Sequence, residues 1–179
     1  MDDYILGIGG SLEPDSRSEV LLKHMLAALE KQGGCTEMLS LREVGLPLYS
    51  EKSKQQALAQ SFIDKAARAK AIVLCSPEYH SAISGVLKNA LDFLSKDELS
   101  HKPVALMAVC GGAIGGTSAI NNMATIVASL HGLVLPQHVI VEQSYRNVGE
   151  VLESKYLHRV EALAGRLITF SSQYGNNAA

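Results

Sequence analysis

The chain has no tryptophan, only three cysteines, and no excess of either charge: 16 basic against 18 acidic residues, a net charge of −2. The charge balance gives no electrostatic case for binding nucleic acid or an anionic membrane. The cysteines, Cys35, Cys75 and Cys110, are scattered, without a C-x-x-C, without a Cys/His spacing for zinc, and without an H-E-x-x-H elsewhere. The expectation is therefore no metal site, and three buried, inert thiols in a reducing cytosol. No apolar run reaches the length of a membrane span. The N-terminal MDDYILGIGG is acidic and runs straight into a strand pattern, so it does not read as a secretory signal, and a cytoplasmic location is expected. There is also no Walker loop, no G-x-G-x-x-G, no G-x-S-x-G elbow and no Ser-His-Asp order.

What is present is alternation. At 179 residues, the length suits one domain, taken as 1–179. Strand patterns are expected at Tyr4–Ile8, Cys35–Leu41, Ala71–Ser76, Pro103–Cys110 and Leu133–Val141, the last an edge because of Pro136. Helical spacing is expected from about Val20 to Gly33, around Leu58–Ala69, at Gly85–Leu94, Thr117–His131 and Gly149–Ser171. Arg42–Ser53 reads as a long connection and Tyr174–Ala179 as a frayed tail. Five strands alternating with helices predict a parallel sheet covered on both faces, best fitted by the flavodoxin-like order 2-1-3-4-5. Ligands bind beyond the carboxyl ends of such strands, where the order reverses, so the loops after the first and third strands would share a crevice.

Three strand-end loops are candidates for that crevice. The first is Gly9-Gly10-Ser11-Leu12-Glu13-Pro14-Asp15-Ser16-Arg17-Ser18. Its hydroxyls, one arginine and a helix N-terminus suit a phosphate. Equally, Ser16 can cap the helix, with Glu19 as its capping-box partner. The second is Pro77-Glu78-Tyr79-His80-Ser81, an aromatic, polar loop suited to holding a flat ring. It runs on to Ser84 and Gly85, whose amides stand at a helix start; an ordinary crossover would use the same residues. Glu78 and His80 have no partner that marks acid–base work. The third is Gly111-Gly112-Ala113-Ile114-Gly115-Gly116, with four glycines where one turn needs fewer.

These residues resemble the flavodoxin-like NAD(P)H-dependent FMN reductases, a family that includes quinone, azo-dye and chromate reductases. The likeness runs from Tyr4 through the last helix. It rests on Gly10-Ser11-Leu12, on the long motif from Pro77 through Gly85 and Leu87-Lys88-Asn89-Ala90-Leu91 to Asp92, and on the Gly111–Gly116 loop. The resemblance implies a three-layer αβα sandwich binding FMN. Ser11, Ser16 and Ser18 would hold its phosphate, and Pro77, Glu78, Tyr79 and His80 would line its ring largely through backbone groups. Gly111, Gly112 and Gly115 would pack near the pyrimidine edge. Glu13 stands where the family usually has arginine, and Arg17 is the candidate to supply that charge. NADPH, or NADH, would deliver hydride to flavin N5 and a small acceptor would then be reduced. No side chain would act as a catalytic acid or base, since the cofactor carries the chemistry. A homodimer or homotetramer is implied. A non-enzymatic, flavodoxin-like electron carrier is the alternative, and a regulatory protein that has lost tight flavin binding is a third reading.

Overall fold

The computed structural model describes residues 4–174. At its centre lie β3 (Ala71–Tyr79) and β5 (Pro103–Val109), the latter buried at every position. Beside β3 is β1 (Ile5–Gly9), also wholly buried; β2 (Thr36–Ser40) and β6 (Leu133–Val141) are the edges. The five pair in parallel in the order β2-β1-β3-β5-β6. This is the expected order, with one addition: β4 (Ala82–Ile83) pairs antiparallel with the end of β3.

The two faces follow from the period of a strand. Ile72 and Leu74 point into one apolar cluster, while Ala71, Val73 and Cys75 point into the other. Helices α3 (Ala57–Arg68), α4 (Gly85–Asp92) and α6 (Thr117–Ser129) cover the first, and α1 (Arg17–Lys31) and α8 (Ser154–Tyr174) cover the second. Both faces of the central strands are therefore buried, which is why their sequences read as continuous apolar runs.

Several boundaries differ from the sequence expectation. The connection after β2 contains α2 (Leu41–Val44), ended by Gly45 at φ 63°, and a 3₁₀ turn at Ser53–Gln55. A further short helix, α5 (Lys96–Leu99), carries a capping box between Ser95 and Glu98. The last helix begins at Ser154, not Gly149, and a separate turn of helix, α7 (Ser144–Asn147), precedes it. Val148 and Leu152 are buried in the same cluster as α8, so their apolar spacing imitates a helical turn they do not form. Tyr174 closes α8, and the rest of the expected tail lies outside the described residues. Cys35 is exposed rather than buried, because it precedes an edge strand whose first three residues are only half covered.

Lys102 sits at the opposite end of the sheet from the strand carboxyl ends. It is 6% exposed, and its Nζ donates to the carbonyls of Ala66 and Ala67 at the end of α3. Burial pulls its pKa down to about 8, against a weaker upward pull from the Glu98 carboxylate. Between pH 8 and the ordinary lysine value of 10.5, the unfolded chain holds a proton that the folded chain has released. Stability contributed by this group therefore rises with pH across that window and is lowest below it. In urea melts, the wild-type stability relative to Lys102→Met is expected to improve by roughly 2 kcal/mol between pH 7.5 and 10.5. A difference independent of pH would refute this.

Candidate functional site

The carboxyl ends of β1, β3, β5 and β6 surround a cavity of about 310 Å³. Its walls are Ser11, Glu13, Asp15, Ser16, Arg17 and Ser18 from the first loop, Pro77, Glu78 and Tyr79 from β3, Val109, Cys110 and Gly111 from the end of β5, and Ser144 and Tyr145 beyond β6. A second cavity, about 320 Å³, lies at the β2 edge against Met38, Phe62 and Lys65, and none of the expected site residues touches it.

The first loop enters α1 through Ser16, whose Oγ accepts from the Glu19 amide at 3.3 Å. The expected capping box is only half formed. The Glu19 carboxylate turns away and accepts from Ser40 Oγ on β2, with its Cγ 3.0 Å from where a Gly9 Cβ would stand. Ser16 and Ser18 hydroxyls are 2.8 Å apart, and Ser11 Oγ accepts from the Glu13 amide at 3.2 Å. Ser11, Ser16 and Ser18 are buried, whereas Glu13 and Asp15 are exposed. The amides of Arg17 and Ser18 donate to no acceptor among the described residues. Arg17 reaches across the cavity wall, and one guanidinium nitrogen donates to the Val148 carbonyl at 2.9 Å. Its other N–H groups remain for a ligand.

β3 continues three residues beyond the predicted end at Ser76, through Pro77, Glu78 and Tyr79. What reads as a polar loop is a tight hairpin. His80 and Ser81 take φ of 49° and 62°, the two positive values a type I′ turn needs, and β4 returns. Pro77 is buried, Tyr79 is 50% exposed at the rim, and His80 sits at the exposed hairpin tip and does not line the cavity. The hairpin leads into Ser84, which is fully used within the protein. Its amide donates to Ser76 Oγ, and its hydroxyl caps Leu87 and donates to the Gly10 carbonyl at 2.6 Å. Ser84 thus ties the third-strand crossover to the first loop, and its amide is not free for a ligand. Gly10 is required there, since a Cβ would meet Leu87 Cβ at 3.0 Å and the Cys75 carbonyl at 3.1 Å.

Glu78 also differs from expectation. Its side chain, not only its backbone, is engaged: Oε2 accepts from the Ala119 amide in the first turn of α6 at 2.8 Å. The N-cap of α6 is Gly116, which has no side chain to offer. Glu78 therefore caps this helix from another strand, where its charge also suits the helix dipole. Gly115 packs beneath it, with room for a Cβ denied by Cys110 Sγ at 2.9 Å and Glu78 Oε1 at 3.1 Å. Of the glycine loop, only Gly111 lines the cavity, while Gly112 and Gly115 do not. Burial, then the Glu78 and Glu142 carboxylates, push the Cys110 thiol above its ordinary pKa, so it is a poor nucleophile.

Sequence reasoning missed Ser144 and Tyr145. The rule that pointed to the first and third loops applies to every strand of a parallel sheet, and the Gln143-Ser144-Tyr145 stretch begins after one intervening residue past the end of β6. The Ser144 and Gln143 amides donate to the Cys110 and Gly112 carbonyls, each at 2.9 Å, which folds this turn back onto the glycine loop.

A phosphate fits this donor set: three buried hydroxyls, two unpaired amides at a helix N-terminus, and spare donors on Arg17. A ring held next to it would lie between Pro77–Tyr79 and Gly111, where no atom lies within 4 Å of a Gly111 Cβ position.

Known proteins agree with that chemistry. The chain is 36% identical over 148 residues to an NADPH azoreductase of Bacillus sp. (strain OY1-2), covering 82% of this chain and 80% of that one. It is 32% identical over 140 residues to an FMN-dependent NADPH-azoreductase of Staphylococcus saprophyticus, covering 74% and 73%. Its fold matches that of a flavoenzyme NAD(P)H:(acceptor) oxidoreductase from Paracoccus denitrificans with a TM-score of 0.81 at 19% identity, over 96% of this chain and 98% of that one. A sequence profile of the NADPH-dependent FMN reductases matches residues 4–146, which takes in every strand and every wall of the cavity, and the chain belongs to that family.

Proposed function

We propose that this FMN-dependent, NADPH-oxidising reductase passes electrons to small planar acceptors, azo compounds and quinones foremost, from the cavity at the strand carboxyl ends. The observation that carries this reading is the convergence of three buried serine hydroxyls, two unpaired amides and a glycine-rimmed gap in one cavity. FMN, when bound, supplies the electron relay between NADPH and acceptor. The protein's part is to bind and orient. Ser11, Ser16, Ser18 and Arg17 hold the phosphate, Pro77, the backbone of Glu78 and Tyr79 hold the ring, and Gly111 leaves it room. The half-exposed Tyr79 and Tyr145 stand at the open side, where nicotinamide and acceptor enter in turn.

The chain works as one FMN-binding domain spanning 1–179, a reading supported by a single sheet with an apolar cluster on each face. It associates as a homodimer or homotetramer. Support comes from α6, which has no charged residue along its length and leaves Ala124 and Ile126 half-exposed, and from Leu48 at 84% exposure. A cytoplasmic setting suits three cysteines that stand unpaired.

The test is a visible spectrum of the purified protein titrated with FMN, then given NADPH without oxygen. A protein-bound flavin band that bleaches is expected, and a bound band that persists would refute the reductase reading. Ser18→Ala is expected to weaken FMN by about tenfold, the loss of one charge-assisted hydrogen bond.

A further inference from the structure

The turn after β6 carries more than a cavity wall. Tyr145 is 57% exposed at the rim, and the Arg146 guanidinium stands 5.5 Å from the centre of its ring. Arg146 is exposed and has no carboxylate at ion-pair distance among the described residues. The backbone beneath the pair is pinned. Gln143 adopts φ 45°, its amide and that of Ser144 are tied to the glycine loop, and Asn147 Nδ2 donates to the Glu142 carbonyl at 2.7 Å and to Tyr156 Oη at 3.3 Å. A rigid platform thus holds an unpaired cation beside an aromatic ring at the cavity mouth.

We propose that Tyr145 and Arg146 form the subsite for the 2′-phosphoadenosine end of NADPH, and so set the preference for NADPH over NADH. The inference rests on the cavity being the flavin site, because the nicotinamide end must reach that same cavity. The adenine packs along the exposed tyrosine ring, and the fork of guanidinium donors takes the 2′-phosphate. Arg17 does not serve this purpose, because its guanidinium is drawn to the Val148 carbonyl and its remaining donors are assigned to the FMN phosphate. The fixed turn means that little ordering is required on binding.

The experiment uses FMN-loaded protein and two probes, adenosine 2′,5′-bisphosphate and adenosine 5′-monophosphate, measured by calorimetry. The wild type is expected to bind the bisphosphate at least about tenfold more tightly. Arg146→Gln is expected to erase that margin, and Arg146→Lys to restore part of it, because lysine keeps the charge and loses the fork. In steady state, Arg146→Gln raises the KM for NADPH about tenfold relative to that for NADH, with kcat little changed. An unaltered bisphosphate margin overturns the proposal. So does an effect of Arg146→Gln confined to the KM of a sulfonated azo acceptor, compared with an unsulfonated one, since that would assign the cation to the acceptor. Failure of the flavin reading would appear separately, as wild-type protein that takes up no FMN.

Discussion

Replacing Gly116 by alanine is expected to destabilise the protein by about 3 kcal/mol, the sum of a left-handed backbone cost and an overpacking cost. Gly116 has φ +86°, a conformation that side chains disfavour, and a Cβ there would fall inside the van der Waals shell of Ile140 Cγ2. Ile140 is β-branched and held in β6, so it has few ways to move. Gly111→Ala is the control. It lies in the same loop with open space around it and no positive φ, and its stability is expected to stay within about 0.5 kcal/mol of wild type. Urea denaturation of the two variants decides the matter, and equal midpoints would contradict the assignment.

Glu78→Ala is expected to weaken FMN by about tenfold and to cost roughly 1 kcal/mol of stability, the usual scale of a lost helix cap. The carboxylate joins the end of β3, a wall of the cavity, to the first turn of α6, just past the glycine loop. Removing it frees the glycine loop that must lie beside the bound ring. Glu78→Gln retains an oxygen that can accept from the Ala119 amide and is expected to recover most of the affinity. Two measurements separate this positioning role from direct contact: FMN binding by fluorescence quenching, and hydrogen exchange of the α6 first-turn amides. An alanine variant with wild-type affinity, or with unchanged exchange at Ala119, would show that the clamp is unimportant.

Much of the fold was legible because the strands are buried on both faces and so carry uninterrupted apolar runs, Ile72-Val73-Leu74-Cys75 being typical. The number, order and parallel sense of the five main strands followed. The elements missed were short: α2, α5, α7 and β4 span two to four residues each, too few for any period to register. The hairpin at His80-Ser81 was hidden for another reason. Its turn residues are not the usual asparagine and glycine, and the positive φ values are held by the β3–β4 pairing rather than by local preference.

The amino-acid sequence by itself determined that a parallel sheet would form, that its strand-end loops would gather serine hydroxyls, a tyrosine and glycines, and which family those motifs resemble. These are local properties: burial patterns, helix starts and residue chemistry. Only the tertiary structure decided how those groups are shared between protein and cavity. It turned the Glu19 carboxylate to Ser40, set Glu78 as the cap of a distant helix, and used Ser84 to bind two loops together. It showed that Gly115 and Gly116 answer to packing while Gly111 faces open space. It also brought Ser144 and Tyr145 to the cavity. A hydrogen bond between residues 41 or 74 positions apart depends on where whole strands come to rest, and no local pattern encodes that separation.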